Sequence, residues 1–356
     1  MTRSGQAPRA AMPPSPLTIA YYGFDDPFAA CARLRVYEPA RALGPAVRLI
    51  PGVAAQGAGH AVSPAVIESA NLILIQRFFP GPATASLLEA AFASGKPVVY
   101  DTDDDFEATP PEHAFFPHLA PLLPFVRDTI ARAACVTVST PALAAVYAGR
   151  ARQVRVLPNF LPDALWSLAA PPKRPVAAIG FAGTPSHAAD LACLAPAFGE
   201  LARQPDFTGR FVCFGCPTPP DFPADATAIP FSADYAAYAA RLPRLGLSIG
   251  LAPLADTPFN RVKSAVKWQE YTAAGAASVC ADLPPYREVV EDGRTGLLVG
   301  PDPRDWAQAV ARLAGDAGLR RRLALQARET LDRSHLLSAQ AAVYGELWRD
   351  IAQGGP

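Results

Sequence analysis

The chain has 356 residues, half of them apolar and 18% charged, with 32 basic residues matched by 32 acidic ones. That length accommodates two domains of about 150 residues, each large enough to bury its own core. The balanced charge excludes a bulk attraction to nucleic acid or to an anionic membrane, so charge must act locally.

Residues 1–16 contain arginines and prolines but no unbroken apolar stretch, so they read as a disordered tail and not as a signal peptide. No apolar run of ~18 residues follows that could span a bilayer. Cys31, Cys135, Cys193, Cys213, Cys216 and Cys280 are scattered through apolar surroundings, which suits buried thiols in a reducing, cytoplasmic compartment. Cys213 and Cys216 form a C-x-x-C, yet no second pair or nearby histidine completes a zinc set, and the pair reads as a strand end.

Strand-like and alanine-rich helical runs then alternate: LTIAYYGF, a helix over 29–43, VRLIPG, NLILIQRF, a helix over 83–94, PVVYD, a helix over 121–133, CVTVST and VRVLPN. After a linker over 166–175 the grammar restarts with VAAIGFAGT, a helix over 188–203, GRFVCFG, ATAIPF, LSIGLAPL, a short helix over 265–274, ASVCAD and GLLVG. This alternation predicts two α/β domains with parallel, doubly covered sheets, over 17–165 and 175–335. From Pro303 on the pattern is helical, with Trp306, Val310 and Leu313 on one stripe and Leu319 and Leu323 on another.

Ligands of such sheets sit beyond the carboxyl ends of the strands, so the loops after strands are the places to search. The G-x-G-x-x-G and P-loop patterns are absent. The loop after LSIGLAPL leads into FNRVKSAVKWQEYTAAG, where Asn260 or Ser264 can cap a helix that Gly275 closes. Lys263, Lys267 and Glu270 follow an i, i+4, i+7 spacing and project within ~60° of one another if the first turn is helical. A helix amino end and two ammonium groups suit a diphosphate, and a carboxylate one turn deeper suits the two hydroxyls of a ribose. The plainer reading is a surface salt bridge between Lys267 and Glu270.

This segment, PFNRVKSAVKWQEYTAAGAASVCADLPPYREVVEDGRTGLLV, resembles the donor-binding block of the retaining, nucleotide-sugar-dependent glycosyltransferases of the GT-B fold, family 4-like, in their bacterial surface-polysaccharide branch. The resemblance runs from about Leu17 to the last helix. It implies two Rossmann-like doubly wound domains facing a cleft, with a helical C-terminal tail whose last part, 336–353, packs back toward the first domain. It also implies that Glu270 holds the ribose, while Asn260, Ser264, Ala265 and the lysines hold the diphosphate. The sequence departs from the pattern at Val262, which stands where the first glutamate of the family's Glu-x7-Glu motif is expected.

FAGTPSH supplies Gly183, Ser186 and His187 after the first strand of the second domain, where His187 can donate to a phosphate or to the sugar. A capping histidine followed by the first-turn acid Asp190 is the alternative. PVVYDTDDDF ends a strand with Asp101, Asp103, Asp104 and Asp105, which read alone suggest a D-x-D magnesium or manganese site. The resemblance speaks against a metal, because lysines and a helix end already offset the leaving diphosphate, and assigns the cluster to the acceptor side or to loop ordering. His113 and Arg33 complete the acceptor-side candidates, Arg33 either binding an anionic acceptor or pairing with Glu38.

The resulting expectation is a glycosyltransferase that uses a nucleotide-diphosphate sugar and a glycan or lipid-linked glycan acceptor. Lys263, Lys267 and His187 are its catalytic candidates, and it uses no metal or other cofactor and no nucleic acid. It is cytoplasmic, with room for peripheral association at the inner membrane face. A nucleotide-sugar 2-epimerase of the same fold and a non-catalytic nucleotide-sugar-binding subunit are the alternatives, the latter favoured by Val262.

Overall fold

The computed structural model describes residues 15–57, 59–113, 115–173 and 177–355. All but the last two residues of the expected tail lie outside the described residues, as does residue 175, where the second domain was expected to begin. Two six-stranded parallel sheets form the framework. The first contains β1 (Leu17–Tyr22), β2 (Val47–Pro51), β5 (Leu72–Gln76), β6 (Val98–Thr102), β7 (Cys135–Val138) and β8 (Val154–Val156), in the order β2-β1-β5-β6-β7-β8. The second contains β9 (Ala178–Ala182), β10 (Arg210–Phe214), β11 (Thr227–Ile229), β12 (Ile249–Ala252), β13 (Ala277–Ala281) and β14 (Leu297–Val299), in the order β11-β10-β9-β12-β13-β14. The central strands β5, β6, β9 and β13 are buried at every position, as expected of strands covered by helices on both faces.

Each sheet reverses direction of growth once, between β1 and β5 in the first and between β9 and β12 in the second. Chain segments leaving these strands therefore open the crevices where ligands of doubly wound sheets bind. Arg77 follows β5 at one switch point; Gly183 to His187 follow β9 at the other.

The structure adds detail that the sequence pattern blurred. An antiparallel hairpin, β3 (Val53–Gln56) with β4 (Gly59–Val62), was not anticipated, and neither was the helix Tyr235–Arg241, whose first turn is capped by the Asp234 carboxylate. The helix expected over 29–43 contains a π turn at Arg33–Tyr37, where the Glu38 amide bonds Arg33. Pro39 just beyond has no amide to offer, and the turn ahead of it widens. The helix expected over 188–203 is two, Ala188–Ala192 and Ala195–Ala202, because Pro196 is tolerated only in a first turn.

The helical tail comprises Pro303–Gly315, Ala317–Ser334 and a last helix, Leu337–Ala352. Leu337, Tyr344, Trp348 and Ile351 of this last helix join the same apolar cluster as Ile19, Leu72 and Leu74 of the first sheet. Burial of each large apolar side chain contributes roughly 1.5–3 kcal/mol, so four anchors hold the chain end firmly to the amino-terminal half. The Tyr344 hydroxyl also bonds the Pro158 carbonyl at 3.0 Å. Among the described residues, no helix is long and apolar enough to cross a membrane.

Candidate active site

The site is built around α1 (Val266–Ala273), a short helix between β12 and β13. Gly275 ends it at φ +80°, and a side chain there would run into the Ala170 carbonyl oxygen. At the other end the capping expectation is corrected. Asn260 belongs to a separate turn of helix, Pro258–Arg261, capped by Thr257, while the Ser264 hydroxyl accepts from Asn159 Nδ2 at 2.9 Å. The N-cap of α1 is Ala265, with no side-chain bond to the first amides. An uncapped helix start leaves donors for a ligand and carries a partial positive charge.

Lys263, Ser264, Lys267 and Glu270 all line the cleft between the domains, which encloses a cavity of ≈ 620 Å³. Glu270 is buried at 2% exposure, and its Oε2 accepts from Lys267 Nζ at 2.8 Å and from the Tyr238 hydroxyl at 2.9 Å. The i, i+3 pair considered from sequence therefore exists, but at the cleft wall and not on the open surface. Tyr238, on the unanticipated helix, was missed as a site residue.

Lys263 reaches across the cleft. Its ammonium lies 3.3 Å from Asp104 Oδ1 of the first domain and 4.3 Å from the centre of the Phe259 ring. Burial pushes the Asp104 carboxyl up, but the Lys263 ammonium and the Arg77 guanidinium outweigh it and hold the group below its ordinary value. Beside this bridge the Thr140 hydroxyl donates to the Val262 carbonyl at 2.7 Å, and the Val262 side chain joins the core of the first domain. The position where the family pattern expects a glutamate is thus an apolar interdomain contact.

Arg77 was also missed. It is buried, with its backbone at φ 50°, a conformation that costs a non-glycine residue energy and recurs at functional sites. Its guanidinium pairs with Asp103, with Asp104 at 3.2 Å and with Asp25 at 3.2 Å. The signal available in the sequence was an arginine directly after an apolar strand, in LILIQRF.

Ser186 and His187 line the opposite wall, on a short 3-10 turn after β9. His187 Nδ1 is 2.9 Å from Asp190 Oδ2, and Asp190 Oδ1 in turn accepts from the Ala255 amide at 2.8 Å. Burial lowers the imidazole's proton affinity more than Asp190 restores it. His113 lines the cleft between Phe115 and Phe259, and burial lowers its proton affinity too.

Five expected site residues lie away from the cavity lining. Asp101, expected on the acceptor side, is buried beneath the cleft, where its carboxylate takes both Arg35 Nη2 at 2.6 Å and Arg35 Nε at 3.2 Å and also the Thr137 hydroxyl at 2.7 Å. It braces β6 to β7 and the π turn. Arg33 is held by Glu38 at 2.6 Å, the pairing considered as its alternative. Asn260 bonds the Ala255 carbonyl at 3.0 Å and so shapes the loop before α1. The Gly183 amide donates to the Phe214 carbonyl at 3.0 Å. Ala265 is buried at 6% exposure, and only its position at the helix start relates it to a ligand. The cysteines are free thiols, and Cys193 is exposed and not buried.

Residues 177–316 match the family model described as glycosyl transferases group 1. No curated protein matches the chain. Among solved structures, a sucrose-phosphate synthase from Thermosynechococcus elongatus is similar, with a TM-score of 0.69 at 16% identity over 95% of this chain and all of that one. So is Anabaena HepE in complex with UDP and glucose, with a TM-score of 0.64 at 16% identity over 94% of this chain and all of that one. A glycosyltransferase from Rickettsia africae gives 0.63 at 12% identity over 96% of this chain and all of that one. The fold is GT-B, and the match to glycosyl transferases group 1 falls on the carboxy-terminal domain.

Proposed function

We propose that the enzyme moves a sugar from a nucleoside-diphosphate sugar to a hydroxyl of a glycan or lipid-linked glycan, with retention at the anomeric carbon. The carboxy-terminal domain binds the donor. The observation that carries this reading is the convergence of Lys263, Lys267 and Glu270 on the cleft at the uncapped start of α1. UDP and glucose in the similar Anabaena structure make uridine donors the first to try.

Departure of the diphosphate leaves an oxocarbenium-like sugar, so catalysis requires fixed positive charge where negative charge grows. Lys263, Lys267 and the amides at the start of α1 supply it. Lys267 then exchanges part of its contact with Glu270 for the phosphate, and the freed carboxylate edge takes the ribose hydroxyls. His187, neutral and oriented by Asp190, offers its Nε2 edge to a phosphate or sugar oxygen. Closure of the two domains excludes water that would hydrolyse the donor. We place this reaction in the cytoplasm, with acceptors at the inner membrane face reached from the protein surface.

A thermal-shift screen over UDP, GDP, ADP and their sugars tests the reading. A ligand at ~100 times its dissociation constant stabilises by ~2.7 kcal/mol. A rise in melting temperature with at least one nucleoside diphosphate, followed by transfer or slow hydrolysis of its sugar, is the expected result. No shift with any of them rejects it. Binding without transfer or hydrolysis supports the second reading, a donor-binding subunit, which the interdomain position of Val262 favours.

A further inference from the structure

We infer that the amino-terminal wall of the cleft is a subsite for a neutral, hydroxyl-rich sugar unit and rejects anionic ones, an inference that rests on the glycosyltransferase reading. Phe78 lies on this wall, backed by the buried Phe106 with ring centroids 4.6 Å apart, and Phe115, 56% exposed, continues the apolar surface. Flat rings of this kind take the C–H face of a sugar ring, while a few polar groups fix its orientation.

The charges on the wall point the same way. Arg77 lies 4.5 Å from the centre of the Phe78 ring and is already shared among three carboxylates, Asp25, Asp103 and Asp104, and the Lys263 ammonium that reaches this wall is held by Asp104 at 3.3 Å. Arg33, the cation expected to receive an anionic acceptor, is paired with Glu38. A uronate or phosphate entering here meets three carboxylates against two cations that are already engaged, and like charges set face to face are a device for rejecting the wrong partner. A sugar hydroxyl, by contrast, donates to Asp103.

Thr109 supplies an independent sign of a ligand. It lines the cavity, is 3% exposed, and its Oγ1 is buried with no hydrogen-bond partner in the protein. A buried hydroxyl without a partner is a standing cost that native proteins avoid unless something else completes it. A sugar hydroxyl, which both donates and accepts, completes it; an apolar ligand does not. In a lipid-linked acceptor this neutral unit occupies the wall, and the anionic linkage to the lipid stays outside the cavity.

Saturation-transfer NMR on the full chain with UDP present tests this, using methyl glucosides and galactosides against the matching methyl glucuronides and galacturonides. The expected result is saturation of a neutral glycoside that binds at least about 10-fold tighter than its uronide, a difference of the size that one mismatched polar contact makes. Thr109→Val should weaken that glycoside about 10-fold with its melting temperature unchanged or raised, and Phe78→Ala should weaken it similarly, both with UDP affinity intact. Equal or tighter uronide binding, no neutral glycoside bound, or a Thr109→Val variant that is less stable yet binds the glycoside normally overturns the inference. Absence of UDP binding alongside normal glycoside binding sinks the donor assignment instead.

Discussion

Lys263 and Asp104 meet at 3.3 Å across the boundary between the two domains. The same ammonium is one of the two that the proposed diphosphate requires, so the bridge and the donor compete for it. Asp104→Asn releases Lys263 and removes a carboxylate from the cleft. Nucleoside diphosphate affinity is expected to rise about 2–10-fold, a modest effect because the bridge is partly solvated. Calorimetric titration at low and moderate salt checks it, and weaker binding in the variant contradicts the competition.

Glu270 gives a prediction specific to the ribose. Charge-assisted hydrogen bonds contribute roughly 1.5–3 kcal/mol each, equivalent to about 10–100-fold in affinity. Wild-type protein should therefore bind a ribonucleoside diphosphate well above its 2′,3′-dideoxy analogue, and Glu270→Gln should erase most of that preference. An unchanged preference would show that the carboxylate serves only Lys267 and Tyr238.

Asp101 should behave as a structural residue. Removing one partner of a buried ion pair leaves an uncompensated charge and costs about 3–5 kcal/mol. Asp101→Ala is expected to lower the unfolding free energy by that amount through the stranded Arg35, read as a lower urea midpoint, while a folded sample retains donor affinity. Loss of sugar transfer at full stability would restore the acceptor role.

The acid side of the stability profile should carry a contribution from His187. Its folded-state proton affinity is lowered by burial, so between the folded and unfolded values the unfolded chain binds more protons and stability rises with pH. The contribution is complete above the unfolded value of about 6.5 and is lost as pH falls through the folded one. His113 and His335 are shifted in the same direction. Melting temperature should thus fall less steeply below about pH 6.5 in His187→Gln than in the wild type, with part of the slope remaining. A steeper fall in the variant contradicts the assignment.

Much of this architecture was legible in the sequence because buried parallel strands such as LILIQ and ASVCA are short apolar runs set between helical stretches, and period and length are local properties. The start of α1 was legible for the same reason: Lys263, Lys267 and Glu270 lie within eight residues. The other half of the cleft was not. Asp104 and Lys263, Thr140 and Val262, and Asn159 and Ser264 are each separated by more than a hundred positions, and only the closed arrangement of domains brings them together. Asp101 and Asp103 look alike in DTDDDF, yet one is buried against Arg35 and Thr137 and the other lines the cleft, because the strand, and with it the alternation that would put both on one face, ends at Thr102 between them. Arg77 and Tyr238 carry no motif, and their importance comes from what surrounds them.

The central claim is that a diphosphate anchors where α1 begins. Calorimetric titration of UDP, GDP and ADP into wild-type protein and into the double variant Lys263→Ala, Lys267→Ala tests it most directly. At least one nucleotide should bind the wild type and lose about 100-fold or more in the double variant, as expected when two charge-assisted contacts to one anion are removed. Equal affinity in the two proteins would contradict the claim.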